Sequence, residues 1–299
     1  SVQGRISQAM TNIATPPKRP EIYVTLEDTA FGVVEKPLSV WERLSSNAVL
    51  RKTILLVVLA LIWELYARWL DNSLLVPTFG ATVVALWEGL VSGKIIYAAF
   101  TSIKVLLQGY AVGLFFAALL TAFASATRVG ADLLETLTSM FNPLPSIALL
   151  PLAMIWFGFG DGSTIFVLLH AVLWAVALNT HAGFRAVSPT WRMVGRNYGL
   201  SGIRYVWKIL IPGAFPSILT GLKIGWAFAW RTLIAAELVF GASSGGGGLG
   251  WFIFENKNSL NIASVFAGLL TVILLGLFVE NVIFRTVEQR TVQRWGMQT

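Results

Sequence analysis

The chain's 299 residues are 56% hydrophobic and only 12% charged, against about a quarter charged in a soluble domain, so the composition excludes an ordinary water-soluble enzyme. Its formal charge of +7 is scattered between apolar runs rather than gathered on one face, which excludes a nucleic-acid-binding role. Cys is absent and His170 and His181 are the only histidines, so disulfides, thiolate chemistry and a protein-only metal cluster are excluded too.

Residues 1–36 are polar, contain Pro16, Pro17 and Pro20, and lack an apolar signal-peptide core, which suits a tail kept in the cytoplasm. Ser39 followed by Glu42 has the form of a capping box, and Val40, Trp41, Leu44 and Ala48 follow at helical spacing beside Arg43, Arg51 and Lys52. That pattern fits a helix on the membrane surface, or simply an aromatic-rich helix end. The expected organisation is thus a cytoplasmic tail with a surface helix over 1–52 and a membrane domain over 53–299.

Apolar segments follow at 53–70, 100–126, 133–157, 163–182, 213–240 and 261–284. A helix needs roughly 20 apolar residues to cross a bilayer, so the fold class is all-α and polytopic, with about six transmembrane helices. Arg128, Arg185, Arg192, Arg196, Arg204, Lys208, Arg285, Arg290 and Arg294 fall on the same side as the basic tail, against Lys94 and Lys257 opposite. This asymmetry predicts that both termini are cytoplasmic.

Two features describe how the spans pack. Gly109, Gly113 and Ala117 in the second span, and Gly221, Gly225 and Ala229 in the fifth, recur every four residues and let helix backbones approach closely. The third span contains Pro143, Pro145 and Pro151, each of which removes a backbone donor. Such breaks persist in a bilayer where protein or a wet cavity satisfies the freed carbonyls, so they mark either a pathway or a well-packed kink.

The longest expected cytoplasmic loop, 186–212, is the most informative segment. Ser188 before Pro189 reads as a helix start and Gly199 as its stop; Ser201 can cap a second helix that Pro212 ends or bends. Met193, Val194 and Tyr198 beside Arg192 and Arg196 read as an apolar knob rimmed by charge, shaped for a pocket on another protein.

The spacing Gly199, nine residues, Ile209, one residue, Ile211-Pro212 resembles the coupling-loop signature of bacterial ABC importer permeases. Met193-Val194-Gly195 stands where that signature has Glu-Ala-Ala. The stretch from Pro143 and Pro145-Ser146 to Gly160 resembles the third span of permeases for taurine, alkanesulfonates, nitrate and bicarbonate. Trp230 to Leu238 followed by Gly248-Leu249-Gly250 is similar to their fifth span, and Asn179-Thr180 matches part of the group. The likeness runs over about 50–290. It implies a type I importer fold in a bacterial inner membrane, paired with a second permease copy, two cytoplasmic ATPase subunits and a periplasmic binding protein that delivers a small anion. ATP and magnesium belong, on this resemblance, to the ATPase chains, and no cofactor is expected in this one. The glycine run from Gly241 to Gly250 lacks the Lys-Ser/Thr ending of a P-loop, in keeping with that expectation.

Ionisable residues in spans usually mark a pathway or a pair. Lys104, Lys223 and Glu280 lie near span ends and can snorkel, while Glu64 is a candidate structural partner. Arg231 is either an attractor for an anion or a charge neutralised inside the bundle. Arg231 and Glu237, six apart, do not share a helix face, whereas Trp230 and Glu237 do. His170 and Trp174, one turn apart, can line the same cavity. The expected pathway set is therefore Pro143, Pro145, Ser146, His170, Trp174, Trp230, Arg231 and Glu237. An ion-gradient transporter would predict inverted repeats with midplane charges in both halves, and a membrane enzyme would predict clustered His, Asp or Glu. No repeat is evident and carboxylates are few, so both are weaker alternatives.

Overall fold

The computed structural model describes residues 47–240 and 247–294. Two units divide the chain, 1–54 and 55–299. Of the first, only the opening of helix α1 (Ala48–Leu70) is described, capped by the Asn47 side chain, which accepts from the Val49 amide at 3.0 Å. The expected capping box at Ser39 and Glu42 lies outside the described residues, as does 241–246.

The described residues of the second unit form helices joined by turns, with no strand among them. After α1 come α2 (Phe79–Val91), α3 (Lys94–Ala126), α4 (Arg128–Phe141), α5 (Leu150–Phe157) and α6 (Asp161–Ala186). They are followed by α7 (Pro189–Asn197), α8 (Gly202–Tyr205 continuing through Val206–Leu210 to Ile211–Phe240), α9 (Leu249–Asn258) and α10, which begins at Ile262–Phe278. Among the described residues, four helices are counted as long and apolar enough to cross a membrane: Lys94–Ala126, Asp161–Ala186, Gly202–Val239 and Ile262–Gln293. The pair Arg128–Phe141 and Ser146–Phe157, bent by 88°, makes a fifth span if counted as one. The segment expected as the first span, 53–70, is helical throughout in α1 and carries Glu64 and Arg68 as its two charged residues.

The break in the third span falls where its prolines predict. Pro143 and Pro145 occupy the corner between α4 and a single 3-10 turn, Ser146–Leu149, that leads into α5. Pro151 does not disturb anything. It sits in the first turn of α5, where a missing N–H costs no hydrogen bond.

The core forms around α6, which packs most extensively against α3 and α8. A Cβ built on Gly109 or Gly113 would lie 2.6 Å from Leu168 or Val172, so both glycines are in van der Waals contact with α6. On its other side, Gly221 abuts Asn179 and the Ala175 carbonyl, and Gly225 abuts Val176. Both small-residue stripes thus grip one central helix, as bundle packing in lipid requires. Tyr110 closes the triangle by donating its hydroxyl to the Leu222 carbonyl across 2.9 Å.

Helix α8 departs from expectation at Pro212, which does not end it: one helix runs from Gly202 to Val239. Lacking an N–H, Pro212 leaves the Lys208 carbonyl without its usual partner. The backbone answers with a π turn over Val206–Leu210, in which the Ile211 amide donates to the Val206 carbonyl. Pro216 is carried inside the same helix.

Candidate functional site

A cavity of about 380 Å³ opens at the broken span. Its lining brings together Pro143, Pro145 and Ser146 from the corner, His170 and Trp174 from α6, and Phe228, Arg231 and Thr232 from α8. Six of the eight residues expected to share a pathway therefore meet around one volume. The broken span makes this possible, because the 88° bend turns the proline corner toward the middle of α6 and α8 instead of filling the space with helix.

The polar groups on this wall are sparse and distinct. Ser146 Oγ lies 3.1 Å from His170 Nδ1. The opposite ring nitrogen of His170 and the Trp174 indole nitrogen are buried without a hydrogen-bond partner. Phe141 stacks on Trp174 with ring centres 5.5 Å apart and planes 11° from parallel. Arg231 is exposed; its Nε donates to the Ala227 carbonyl at 3.0 Å, and its guanidinium carbon lies 5.4 Å from the Phe228 ring centre. No carboxylate pairs with it among the described residues. A guanidinium stacked on an aromatic face keeps most of its N–H fork available for an oxyanion. Phe228 precedes Arg231 by three residues and so shares its helix face, a relation that spacing alone would have revealed.

Trp230 and Glu237 are placed elsewhere. They share a face, as their spacing predicts, but it is turned away from the cavity. Trp230 is buried on the side facing Gly276 of α10. Glu237, 5% exposed, accepts from Ser102 Oγ at 2.7 and 2.8 Å and from the Gly250 amide at 2.9 Å. Ser102, 135 positions away, carried no sequence signal for this role. Lys223, near its span end, pairs with Glu288 at 2.7 Å.

The second candidate region is an elbow made by α7 and the start of α8. Ser188 caps α7, accepting from the Thr190 amide, with Pro189 at its first position. At the other end Gly199 adopts φ +69°, and two bonds close the turn, Gly199 N–H to Arg196 and Leu200 N–H to Gly195. This is a Schellman stop, and the left-handed residue at its centre is the reason for glycine. Ser201 stands at the N-cap of α8 but makes no side-chain cap bond.

The residues expected on the elbow's surface divide in two. Met193, Val194, Arg196 and Tyr198 are exposed, Tyr198 by 81%. Arg192 is not part of that rim. It is half-buried, and its guanidinium donates to the carbonyls of Phe184 and Val187, closing the end of α6. Gly195 packs on Ile209 and Tyr205, where a Cβ would come within 2.8 and 3.0 Å. Ile209 belongs to the elbow's own core with Phe184, Val187, Leu210 and Ala214, and Ile211 packs against it. Pro212 is half-buried beside them.

A second cavity of about 660 Å³ lies at the end of the bundle remote from the elbow, between α2, the start of α3, α9 and the start of α10. Its polar lining, which includes Glu88, Lys94, Glu255 and Asn256, was not anticipated.

Residues 109–293 match the family described as binding-protein-dependent transport system inner membrane component. Among known proteins, the chain is 28% identical to an ABC transporter permease protein of Methanocaldococcus jannaschii over 80% of this chain and 90% of the relative. It is 30% identical to an aliphatic sulfonates transport permease protein of Escherichia coli, over 72% and 81% of the two chains. A nitrate import permease protein of Synechocystis is 28% identical over 80% and 88%.

Proposed function

The chain belongs to the family of binding-protein-dependent transport system inner membrane components, and on that premise we propose that its broken third span, α6 and α8 line the path of a small oxyanion. As a membrane-embedded permease subunit of an ABC importer it is a pore component, not an enzyme. ATP and magnesium are handled by two partner ATPase subunits on the cytoplasmic side. A periplasmic binding protein delivers the solute, a second copy of the chain completes the pathway, and both termini face the cytoplasm of a bacterial cell. Similarity to permeases for sulfonates and nitrate supports an anionic solute such as taurine, another alkanesulfonate or nitrate.

The single observation that carries this reading is Arg231. Its guanidinium lies at a cavity lined also by His170 and Trp174 and has no carboxylate partner among the described residues. Bidentate bonds from arginine to oxyanions are stronger than neutral ones, and low dielectric strengthens them further. The aromatic walls add apolar contact for a short tail, which favours an organic sulfonate over a bare inorganic ion.

Arg231→Met keeps the apolar stem and removes the charge. In proteoliposomes containing the complete transporter, uptake of radiolabelled taurine, an alkanesulfonate and nitrate is expected to fall at least about tenfold, the scale of losing a charged hydrogen-bond partner. Recovery of the complex should not change. Parallel loss of uptake and assembly would instead make Arg231 a purely structural charge.

The elbow supports the ATPase-docking part of the proposal through its exposed Met193, Val194 and Tyr198 beside Arg196. Gly199→Val forces a β-branched residue into the left-handed turn. It is expected to weaken retention of the ATPase subunits on the purified permease while insertion in the membrane is kept. Undiminished retention and coupling would remove the elbow from the account.

A further inference from the structure

We infer that Glu237 is a positioning residue: with Ser102 it latches α9 onto the end of α8 remote from the elbow, so that one uninterrupted helix links the ATPase-docking elbow to α9. The inference rests on the import reading above and adds the route by which the elbow's motion is delivered.

The route begins with the length of α8. Gly202–Val239 is a 38-residue helix, roughly 57 Å at about 1.5 Å per residue. It starts two residues after the Schellman stop closes at Leu200, takes in a π turn before Pro212, carries Pro216 inside it, and stays helical to Val239. Being one continuous helix, it offers a route along which a displacement of the elbow can reach Val239. Arg231 rides on the same rod, six residues before Glu237. Any axial or rotational shift that moves the cavity wall therefore moves Glu237 as well.

At Glu237 the rod is tied to its neighbours. The carboxyl group accepts from the Gly250 amide in the first turn of α9 and from the Ser102 hydroxyl of α3. Ser102 in turn accepts from the Leu249 amide at 2.8 Å, so two of the first amides of α9 end in this one cluster. Their own helix cannot satisfy these amides, and burial denies them water. The approach is close enough to require glycine. A Cβ on Gly248 would lie 2.1 Å from a Glu237 carboxyl oxygen, and one on Gly250 would lie 2.6 Å from the Glu237 Cβ and 2.7 Å from the Ile234 carbonyl.

What the latch carries is a cavity wall. Helix α9 turns Leu249 and Ile253 inward and supplies Trp251, Glu255 and Asn256 to the second cavity. A stroke on α8 thus re-shapes both cavities together, the one at Arg231 directly and the one at α9 through Glu237. Coupling between distant sites needs a contiguous element that both ends bias, and the rod with its latch is such an element.

The absence of Cys in the sequence makes the test direct. Spin labels are placed on cysteines introduced at Lys257 of α9 and at Glu88 of α2, which lines the same cavity but takes no part in the latch, in the full transporter with its ATPase subunits and binding protein. The distance between labels is measured without nucleotide and after trapping with ATP and vanadate, and taurine, an alkanesulfonate and nitrate are used as transported probes. The unmodified latch is expected to give a distance change on trapping. Glu237→Ala should abolish that change and lower the solute moved per ATP about tenfold, the usual scale of coupling between sites, with ATP hydrolysis within about twofold of the parent. Ser102→Ala, which removes only the bridging hydroxyl, should give a smaller loss of the same kind and serves if Glu237→Ala is poorly assembled. A distance change and a transport ratio like the parent's in both variants would overturn the latch alone. So would a loss of transport strictly proportional to loss of assembled complex. A parent complex that hydrolyses ATP but moves none of the probes would sink the import reading and the latch with it.

Discussion

Two carboxylates, Glu64 and Glu237, do the same local task under opposite conditions. Each accepts from an amide at the start of a short helix: Glu64 from Gly80 of α2 at 3.1 Å, Glu237 from Gly250 of α9 at 2.9 Å. Glu64 also holds a cation, Arg68, at 2.7 Å on its own helix, and the pair is only partly covered by the chain, Glu64 being half-buried and Arg68 exposed. Glu237 has no cation near it among the described residues and is almost wholly enclosed, relying on a hydroxyl from another helix. The lesson is that a cap shared with a neighbouring cation on the surface has other partners to fall back on, whereas an enclosed one has none. Only the second can transmit force without slack.

The contrast can be broken by measurement, beginning with the largest effect. Glu237→Ala strands the Ser102 hydroxyl and the Gly250 amide away from water, and should destabilise the detergent-purified chain by on the order of 3 kcal/mol. Thermal unfolding followed by tryptophan fluorescence would report it as a clear drop in midpoint. Glu64→Ala should lower the same midpoint by less, because the cap it removes is not enclosed. Equal drops for the two variants would erase the distinction. Arg68→Ala removes only an exposed partner four residues along one helix, and the midpoint should stay within experimental scatter. A sizeable drop there would mean that the Glu64 cap depends on its cation after all.

What the sequence revealed follows a physical rule: relations local along the chain, or periodic, were legible. Apolar length marked the long helices, α1 among them, and proline marked the corner at 143–145. Glycine intervals marked the two faces that grip α6, and Ser188, Pro189 and Gly199 marked both ends of α7. The cavity set was largely legible for the same reason, since His170 and Trp174 share a face and the proline corner announces a gap. Contacts between distant segments were not. Ser102 and Glu237 meet only because α3 and α8 flank α6, and no spacing records that. Arg192 was misjudged because charge in a loop reads as surface, yet the open carbonyls at the end of α6 made an inward pose more favourable. Pro212 was misjudged because its usual effect on a helix was absorbed by a wider turn upstream.

Val172 faces Gly113 of α3 on one side and, together with Val176, the neighbourhood of Gly225 of α8 on the other. Its isopropyl group thus stands at two helix seams at once. Enlarging it would wedge both seams apart, and shrinking it would leave one void shared between them, so no compensating change on a single neighbour can restore the fit. For anyone redesigning this protein, the three helices have to be varied as a block, with this position as the gauge to which the other two are cut.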